Sequence, residues 1–335
     1  MTKALHTTWM ILQKDGKILL GMKKRGFGVG KLNGVGGKVE PGETTDEAAV
    51  RETFEEIGVR VTKMKLMGEI VFDNLYYHNR PERMMMHCYV ATAWEGQPEE
   101  SDEIKPEWIN ISEVPYNKLW EDDQYWLPAI LRGEEIQAHF RFNAQNKMQP
   151  EHWVKPKPTK IVIRLDEKTL GMRNFGHPET FTKRYAARAV LVDQNWRVAL
   201  INATKRGYYK LPGGGIEDGE LILEALDREV AEEAGYKLEV LDELGISTER
   251  RSKFNQHNIS YGYLCRATKF IGTTLMEDEA EDGFELQWFD SINQAIAAVA
   301  AIDTSDMIYQ AKFFTKRELE FLKVAKRVIE QKYGK

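Results

Sequence analysis

One cluster of residues recurs in this chain at a fixed distance. Gly37, Glu43, Arg51, Glu52, Glu55, Glu56 and Gly58 return as Gly214, Glu220, Arg228, Glu229, Glu232, Glu233 and Gly235, each pair 177 residues apart. At an average usage of roughly 0.06 per fixed position, seven fixed positions match by chance at about one start in 10^8 or fewer, so two matches mean duplication. The offset is far longer than a solenoid repeat, and 335 residues suit two domains of ordinary size. The expected division is a first domain over residues 1–149, a linker over 150–159 and a second domain over 160–335. Pro150, Pro156 and Pro158 are what make the middle stretch read as a stiff linker.

Within each copy the spacing predicts a loop followed by a helix. Thr44 with Glu47 three residues on is a capping box, and Gly58 can take the left-handed conformation that ends a helix. Between them Val50, Phe54 and Ile57 fall on one stripe, which predicts that Glu52, Glu55 and Glu56 project from the opposite side. Three carboxylates within a turn repel one another unless a cation joins them, and hard oxygen donors suit magnesium, with manganese as the alternative. The second copy repeats the design with Leu223, Leu226 and Val230 on the stripe and Glu229, Glu232 and Glu233 off it. Metal ions held there would bind a polyphosphate, neutralise its oxygens and orient a water, with one carboxylate as the base. Gly36 and Gly213, next to the box glycines, allow close backbone approach, and a carbonyl there could add a metal ligand. Arg51 is expected to pair with Glu43 and hold the loop against the helix.

Composition narrows the partner. A net charge of −5 with scattered Lys and Arg gives no basic stripe for a nucleic-acid backbone, so a nucleic-acid polymer is excluded as the main partner. No run of 18 apolar residues and no apolar N-terminal segment occurs, which predicts neither a membrane span nor secretion and leaves a soluble cytoplasmic protein as the expectation. Cys88 and Cys265 are expected to be buried packing residues on equivalent strands and not a disulfide. Nothing in the chain speaks to its oligomeric state.

The flanks of the two copies also correspond. Asp15-Gly16 between apolar runs at 8–12 and 17–20 predicts a tight hairpin, and Asp193-Gln194-Asn195 sits likewise between 189–192 and 197–201. Lys24-Arg25-Gly26-Phe27 is echoed by Lys205-Arg206-Gly207-Tyr208, with four extra residues in the first domain around Gly28-Val29-Gly30. Residues 161–165 suit a leading strand of the second domain. Near the end, Thr315 and Glu318 predict the cap of an amphipathic helix carrying Phe321, Leu322, Ala325 and Ile329.

At these residues the chain resembles the Nudix superfamily, whose fold is an α/β/α sandwich around a mixed sheet. The resemblance implies an α/β protein of two such sandwiches. Residues 21–33, the box, 68–72, 100–103 and 119–128 make the first domain similar to the MutT-type branch that removes 8-oxo-dGTP and other oxidised purine nucleoside triphosphates. This implies hydrolysis to the monophosphate and pyrophosphate with magnesium. Matched residue by residue, Asn33, Asp122 and Asp123 would hydrogen-bond the purine edge, Trp120 and Phe27 would wall its pocket, and Thr8, Lys23, Phe72 and Met84 would line it. Glu103 matches a further carboxylate, either a metal ligand or the base. Adjacent aspartates can share protons and present donor or acceptor, and an aromatic face offers stacking to any purine.

The second domain is MutT-like through its box and the Leu211-Pro212-Gly213-Gly214 approach. It departs from the pattern at Tyr236, where an aliphatic residue is usual. Lys210 stands where Asn33 stands and cannot accept a hydrogen bond, and no Trp-x-Asp-Asp follows, so base recognition there must differ. Asp306 falls where bacterial MutT-type enzymes use a purine-binding polar residue, and Glu281 and Glu285 compete for the role of Glu103. Alternatives for this site are a nucleotide sugar, ADP-ribose or a dinucleotide as substrate, or a nucleotide-sensing module that regulates the first. Its intact Glu229, Glu232 and Glu233 argue against the last.

Overall fold

Alternation along the first strand puts apolar side chains on both faces of a sheet. In β1 (Leu5–Lys14) Trp9 and Ile11 enter one core and Met10 and Leu12 another, all buried, as expected for a strand covered on two sides. The computed structural model describes residues 4–77, 80–173, 175–176, 178, 180–275, 281–305 and 307–335. It divides into two compact units, Met1–Lys157 and Pro158–Lys335.

In the first unit β1 is followed by β2 (Lys17–Lys23), β3 (Leu32–Asn33), α1 (Thr45–Ile57), β4 (Arg60–Tyr77), β5 (Arg80–Glu95), β6 (Ile104–Asn110), α2 (Asp123–Leu131), β7 (Ile136–Arg141) and β8 (Trp153–Pro156). The strand order is β3-β2-β1-β5-β4-β7-β8, with β6 paired to β2. The β1–β5 and β4–β7 pairs are parallel and the remainder antiparallel, so the sheet is mixed. Helix α1 covers the Met10 face, while Trp126, Leu127 and Ile130 of α2 cover the Trp9 face. Asp15 and Gly16 take φ of 52° and 73°, the two positive values that a tight two-residue hairpin demands.

The stretch expected as a linker differs from that expectation. Trp153–Pro156 forms β8, an edge strand antiparallel to β7, because Trp153 and Val154 are apolar and Pro156 falls at the strand end where a missing N–H is tolerated. The first unit therefore runs on to Lys157, whose ammonium bonds Glu69 at 2.5 Å.

The second unit contains β9 (Ile161–Leu165), β10 (Thr182–Val192), β11 (Val198–Ala203), β12 (Tyr208–Lys210), α3 (Ile222–Ala234), β13 (Tyr236–Arg251), β14 (Gln256–Phe270), β15 (Phe284–Phe289), α4 (Ile292–Ala300) and α5 (Tyr309–Val328). Its order is β12-β11-β10-β14-β13-β9, with β15 on β11. Here the leading strand β9 lies parallel to β13, the place that β7 takes beside β4 in the first unit. Helix α3 covers the face of Ala187, Ala189 and Leu191, and α4 and α5 cover that of Val190 and Val192.

Helix α5 starts earlier than its sequence pattern predicts. It begins at Tyr309, so Thr315 and Glu318 lie inside it and are buried instead of capping it. Tyr309, Ala311 and Phe313 are buried too, and that apolar face carries the helix backwards past the polar pair. Phe321 packs directly onto β14, where a Cβ at Gly262 would meet its ring at 2.3 Å. Phe321→Ala is expected to destabilise the second unit by about 3–5 kcal/mol, read as loss of its denaturant-unfolding transition while the first unit's transition stays in place. Cys88 and Cys265 are both free and buried, on β5 and β14, but they enter cores on opposite faces of their sheets.

Candidate active sites

Each box begins with two glycines that bring backbone against the helix carboxylates. Gly36 and Gly213 have φ of 153° and 134°, and a Cβ on either would lie 2.2 Å from a carbonyl oxygen of β1 or β10, that of Thr8 or Ala187. On Gly37 a Cβ would meet Glu52 Oε1 at 2.4 Å, and on Gly214 it would meet Glu229 Oε2 at 2.2 Å. Gly37→Ala should therefore push Glu52 aside and cut turnover at the first site on the order of tenfold with little change in Tm, since misplacement by about an ångström is enough. Kinetics of Gly37→Ala beside Gly214→Ala measure it.

The helix presents its carboxylates differently from the expected single polar side. Thr44 caps α1 in a box with Glu47, and Gly58 ends it at φ 72°. The buried side is Ala48, Ala49, Thr53, Glu56 and Ile57, whereas Phe54 is 53% exposed. Glu56 is thus inside, Glu52 half-buried and Glu55 outside. The cause is tertiary: the box loop and the end of β2 lie over this side of the helix and supply polar partners to a glutamate that periodicity places outward. Glu56 accepts from the Gly36 N–H at 3.1 Å and from Lys23 Nζ at 3.1 Å. Burial pushes the Glu56 carboxyl up, with the Lys23 ammonium opposing, and burial likewise raises Glu52 against the nearby Arg51.

Arg51 ties the box together. Its guanidinium reaches Glu43 at 2.6 Å, Glu52 at 2.9 Å, Glu55 at 3.1 Å and the Lys38 carbonyl at 3.1 Å. Arg228 repeats every contact, to Glu220, Glu229, Glu232 and the Gly215 carbonyl, at 2.9–3.1 Å. Among the described residues no three acidic, His or Cys groups already converge as a metal cage; the box carboxylates rest on cationic side chains instead. Clustered hard oxygens, two of them raised by burial, are the donor set that a divalent cation would relieve.

Beside the first box lies a cavity of about 410 Å3. Thr8, Lys23, Phe27, Asn33, Gly36, Phe72, Met84, Glu103, Trp120, Asp122 and Asp123 all line it, which brings the whole expected pocket together. Phe27 and Trp120 stack with centroids 4.9 Å apart, and Gly28 lets Trp120 approach, since a Cβ there would sit 2.9 Å from its ring. The extra residues of this domain thus shape one wall. Glu103 is held by Arg25, and Lys23 Nζ stands 3.9 Å from it.

The aspartates are buried. Asp122 Oδ2 accepts from the Trp126 indole at 3.0 Å, and Asp123 Oδ2 accepts from the Trp120 backbone N–H at 3.0 Å. Burial pushes Asp122 up to about 6, and burial with the neighbouring Asp122 charge pushes Asp123 well above its ordinary value. Two adjacent buried carboxylates cannot both ionise freely, so the charge of one opposes ionisation of the other. Sequence reasoning missed Trp9, whose indole donates to Asn33 Oδ1 at 2.7 Å, and Lys31, whose ammonium lies 5.6 Å over the Trp120 ring.

The second box holds the same frame with other neighbours. Glu233 accepts from Gly213 N–H at 3.0 Å and from Lys210 Nζ at 2.5 Å. Lys210, expected at the base edge, thus makes the contact that Lys23 makes in the first unit, although it comes from β12 instead of β2. Burial raises Glu229. Glu281 and Glu285 are both exposed, and neither makes the backbone contact that Glu103 makes with Lys24. Asp282 takes the corresponding position: it bonds Arg206 at 2.7 Å as Glu103 bonds Arg25, and its carbonyl receives Lys205 N–H as that of Glu103 receives Lys24. Asp306 lies outside the described residues.

Two mixed sheets, each flanked by helices and each carrying the box helix on one face, define a tandem α/β sandwich protein with a repeated carboxylate box. The chain belongs to the Nudix family: it matches the NUDIX domain twice, over residues 3–130 and 182–305. Its N-terminal region is similar to the oxidized purine nucleoside triphosphate hydrolase of Mus musculus, 41% identical over 145 residues that cover 43% of this chain and 90% of that protein. The 8-oxo-dGTP diphosphatase of Escherichia coli is 32% identical over 81 residues, 24% of this chain and 59% of that one. Among solved structures, a MutT protein from Bacillus halodurans aligns with TM-score 0.39 and 24% identity over 46% of this chain and 99% of its own. Nudix hydrolases generally use divalent metal ions and act on nucleotides. No described helix is long and apolar enough to cross a membrane.

Proposed function

We infer that the first domain hydrolyses oxidised purine nucleoside triphosphates such as 8-oxo-dGTP to the monophosphate and pyrophosphate, and that the second domain is a Nudix site of different specificity. The observation that carries this is the buried adjacent pair Asp122 and Asp123, set beside Asn33 and the stacked Phe27 and Trp120 in one cavity with Lys23, Gly36 and Glu103. The pair donates from one member and accepts on the other, which suits purine edges altered by oxidation. Phe27 and Trp120 part to sandwich the base.

Magnesium would be held by Glu52, Glu55, Glu56, the Gly36 carbonyl and Glu103, and in the second site by Glu229, Glu232, Glu233 and Gly213. When bound it neutralises phosphate oxygens and acidifies water. Glu56, raised by burial, is suited to take a proton from the attacking water. Lys23, between Glu56 and Glu103, is placed to follow the phosphate charge. Such an enzyme cleans the free nucleotide pool and protects DNA, and the cytoplasm is the compartment we assign to it.

A panel of dGTP, 8-oxo-dGTP, dATP and 2-hydroxy-dATP on the full chain tests the reading. Pyrophosphate and monophosphate released preferentially from the oxidised members are the expected products. Preference for dGTP, or release of inorganic phosphate alone, overturns it.

A further inference from the structure

One aromatic ring anchors a helix on the same spot of each sheet. On β1, Trp9 lies between Thr8 and Met10, which donate to the Gly37 and Val35 carbonyls; on β10, Arg188 lies between Ala187 and Ala189, which donate to Gly214 and Pro212. Trp9 pairs with Cys88, and Arg188 pairs with Gly262. Trp126 of α2 packs on Trp9 with ring centroids 5.0 Å apart, and Phe321 of α5 packs over Gly262. These two rings therefore correspond. Asp122 and Asp123 stand four and three residues before Trp126, as Arg317 and Glu318 stand before Phe321, and on a helix that spacing puts them on the same face as the ring.

The acid pair of the first cavity is thus replaced by an arginine and a glutamate that bond within the protein. Arg317 reaches Glu249 at 2.9 Å and Glu318 at 2.5 Å, and all three are buried. Glu249 pairs with Asn258 at the place where Phe72 pairs with Met84, four residues on from Gly245 and Gly68. Where Phe72 and Asp122 line open space in one unit, Glu249 and Arg317 close it with an ion pair in the other. The aromatic wall closes as well. Phe27 is 39% exposed and stacks on Trp120, whereas its counterpart Tyr208 is 5% exposed and packs on Phe314 at 5.8 Å. The Arg251 and Arg317 guanidiniums lie over the Phe314 ring at 4.9 and 5.1 Å. Extra helix supplies this filling: α2 starts at Asp123, within a turn of Trp126, but α5 starts at Tyr309, about three turns ahead of Phe321.

We propose that the second domain binds its substrate by the polyphosphate chain and leaves the base unread, because α5 fills the volume that holds the base in the first unit. What stays open beside the box is a cleft of about 340 Å3 lined by Lys205, Arg206, Asp303, Ser305, Met307 and Ile308. Two cations and no aromatic ring are among these lining residues, so the cleft offers charge to phosphates and no platform for stacking. This deepens the reading of the second box as a site of different specificity and rests on that reading only for turnover. An unchanged catalytic helix then serves a base-reading site in one unit and a base-blind one in the other.

The test titrates dATP, dGTP, dCTP, dTTP and inorganic tripolyphosphate, each with magnesium, into the full chain carrying Glu56→Gln and Trp120→Ala, which disables the first site. The binding that a further Glu233→Gln removes belongs to the second site. All five affinities there are expected to agree within about threefold, since the base adds nothing. Amide exchange over residues 309–321 should be equally slow with dGTP and without it. A preference of about tenfold for one base, tripolyphosphate about tenfold weaker than all four nucleotides, or no second-site binding of any of the five overturns the proposal. So does faster exchange along α5 with dGTP bound, which would make the helix a lid that leaves to admit the base. Turnover is followed separately with Glu233 intact: equal binding without hydrolysis defeats the reading of the second box as a working enzyme and leaves the role of α5 standing.

Discussion

Glu56→Gln is expected to lower turnover of 8-oxo-dGTP about a thousandfold, while Glu233→Gln leaves most of it. Glu56 is the buried member of its helix, and two neutral-to-cationic donors, Gly36 N–H and Lys23, define where its oxygens sit. A glutamine keeps the shape but has neither the charge for a cation nor the basicity for a proton, and general-base removal typically costs 10^2–10^4-fold. Glu233 has an equivalent pair of donors in Gly213 and Lys210, so the two substitutions perturb like surroundings. Any difference in 8-oxo-dGTP turnover therefore reports which pocket holds the purine. Steady-state kcat for both variants decides it, and equal losses would contradict the division of labour between the boxes.

The frame of each site was legible because its logic is local. Capping residues, helix-ending glycine and the Arg51 bridge depend on residues within one short stretch, and they lie in the structure as the spacing predicts. The sidedness of the helix was not legible. Periodicity counts Phe54 as inward and Glu56 as outward, yet the box loop provides the Gly36 N–H and β2 provides Lys23 to the glutamate, while the phenylalanine stays outside. Lys210 shows a related limit: its strand register matches Asn33, but a four-carbon stem carries its charge to Glu233. Asp282 could have been found from one signal, the echo of Arg25 by Arg206, since an arginine that keeps its place keeps a need for an acid. The early start of α5 and the strand at 153–156 both arose where apolar residues outweighed a cap pattern or a proline count.

Asp122→Asn should lower kcat/KM for oxidised purine triphosphates about a hundredfold while leaving metal affinity nearly unchanged. Asp122 already gives one oxygen to the Trp126 indole, so an amide that keeps this bond must point its NH2 toward the base. The pocket then holds a fixed donor where it had a proton that could move to Asp123, and an edge that presents a donor there loses its partner. Unchanged selectivity among purine triphosphates would remove the pocket assignment. The same substitution has a thermodynamic signature with a defined sign. Because the folded-state value of Asp122 is raised from 3.8 to about 6, the native protein holds more protons than the unfolded chain between those values. The stability this contributes is fully present below the unfolded value and is lost as pH rises through the folded one. Wild-type Tm should therefore fall from about pH 4 toward neutrality on this account, whereas Asp122→Asn flattens that limb and gains a few degrees at pH 8. Losing activity while gaining stability at pH 8 is the behaviour of a charge kept buried for binding. A variant less stable than wild type at pH 8 would mean that Asp122 serves mainly to hold Trp126.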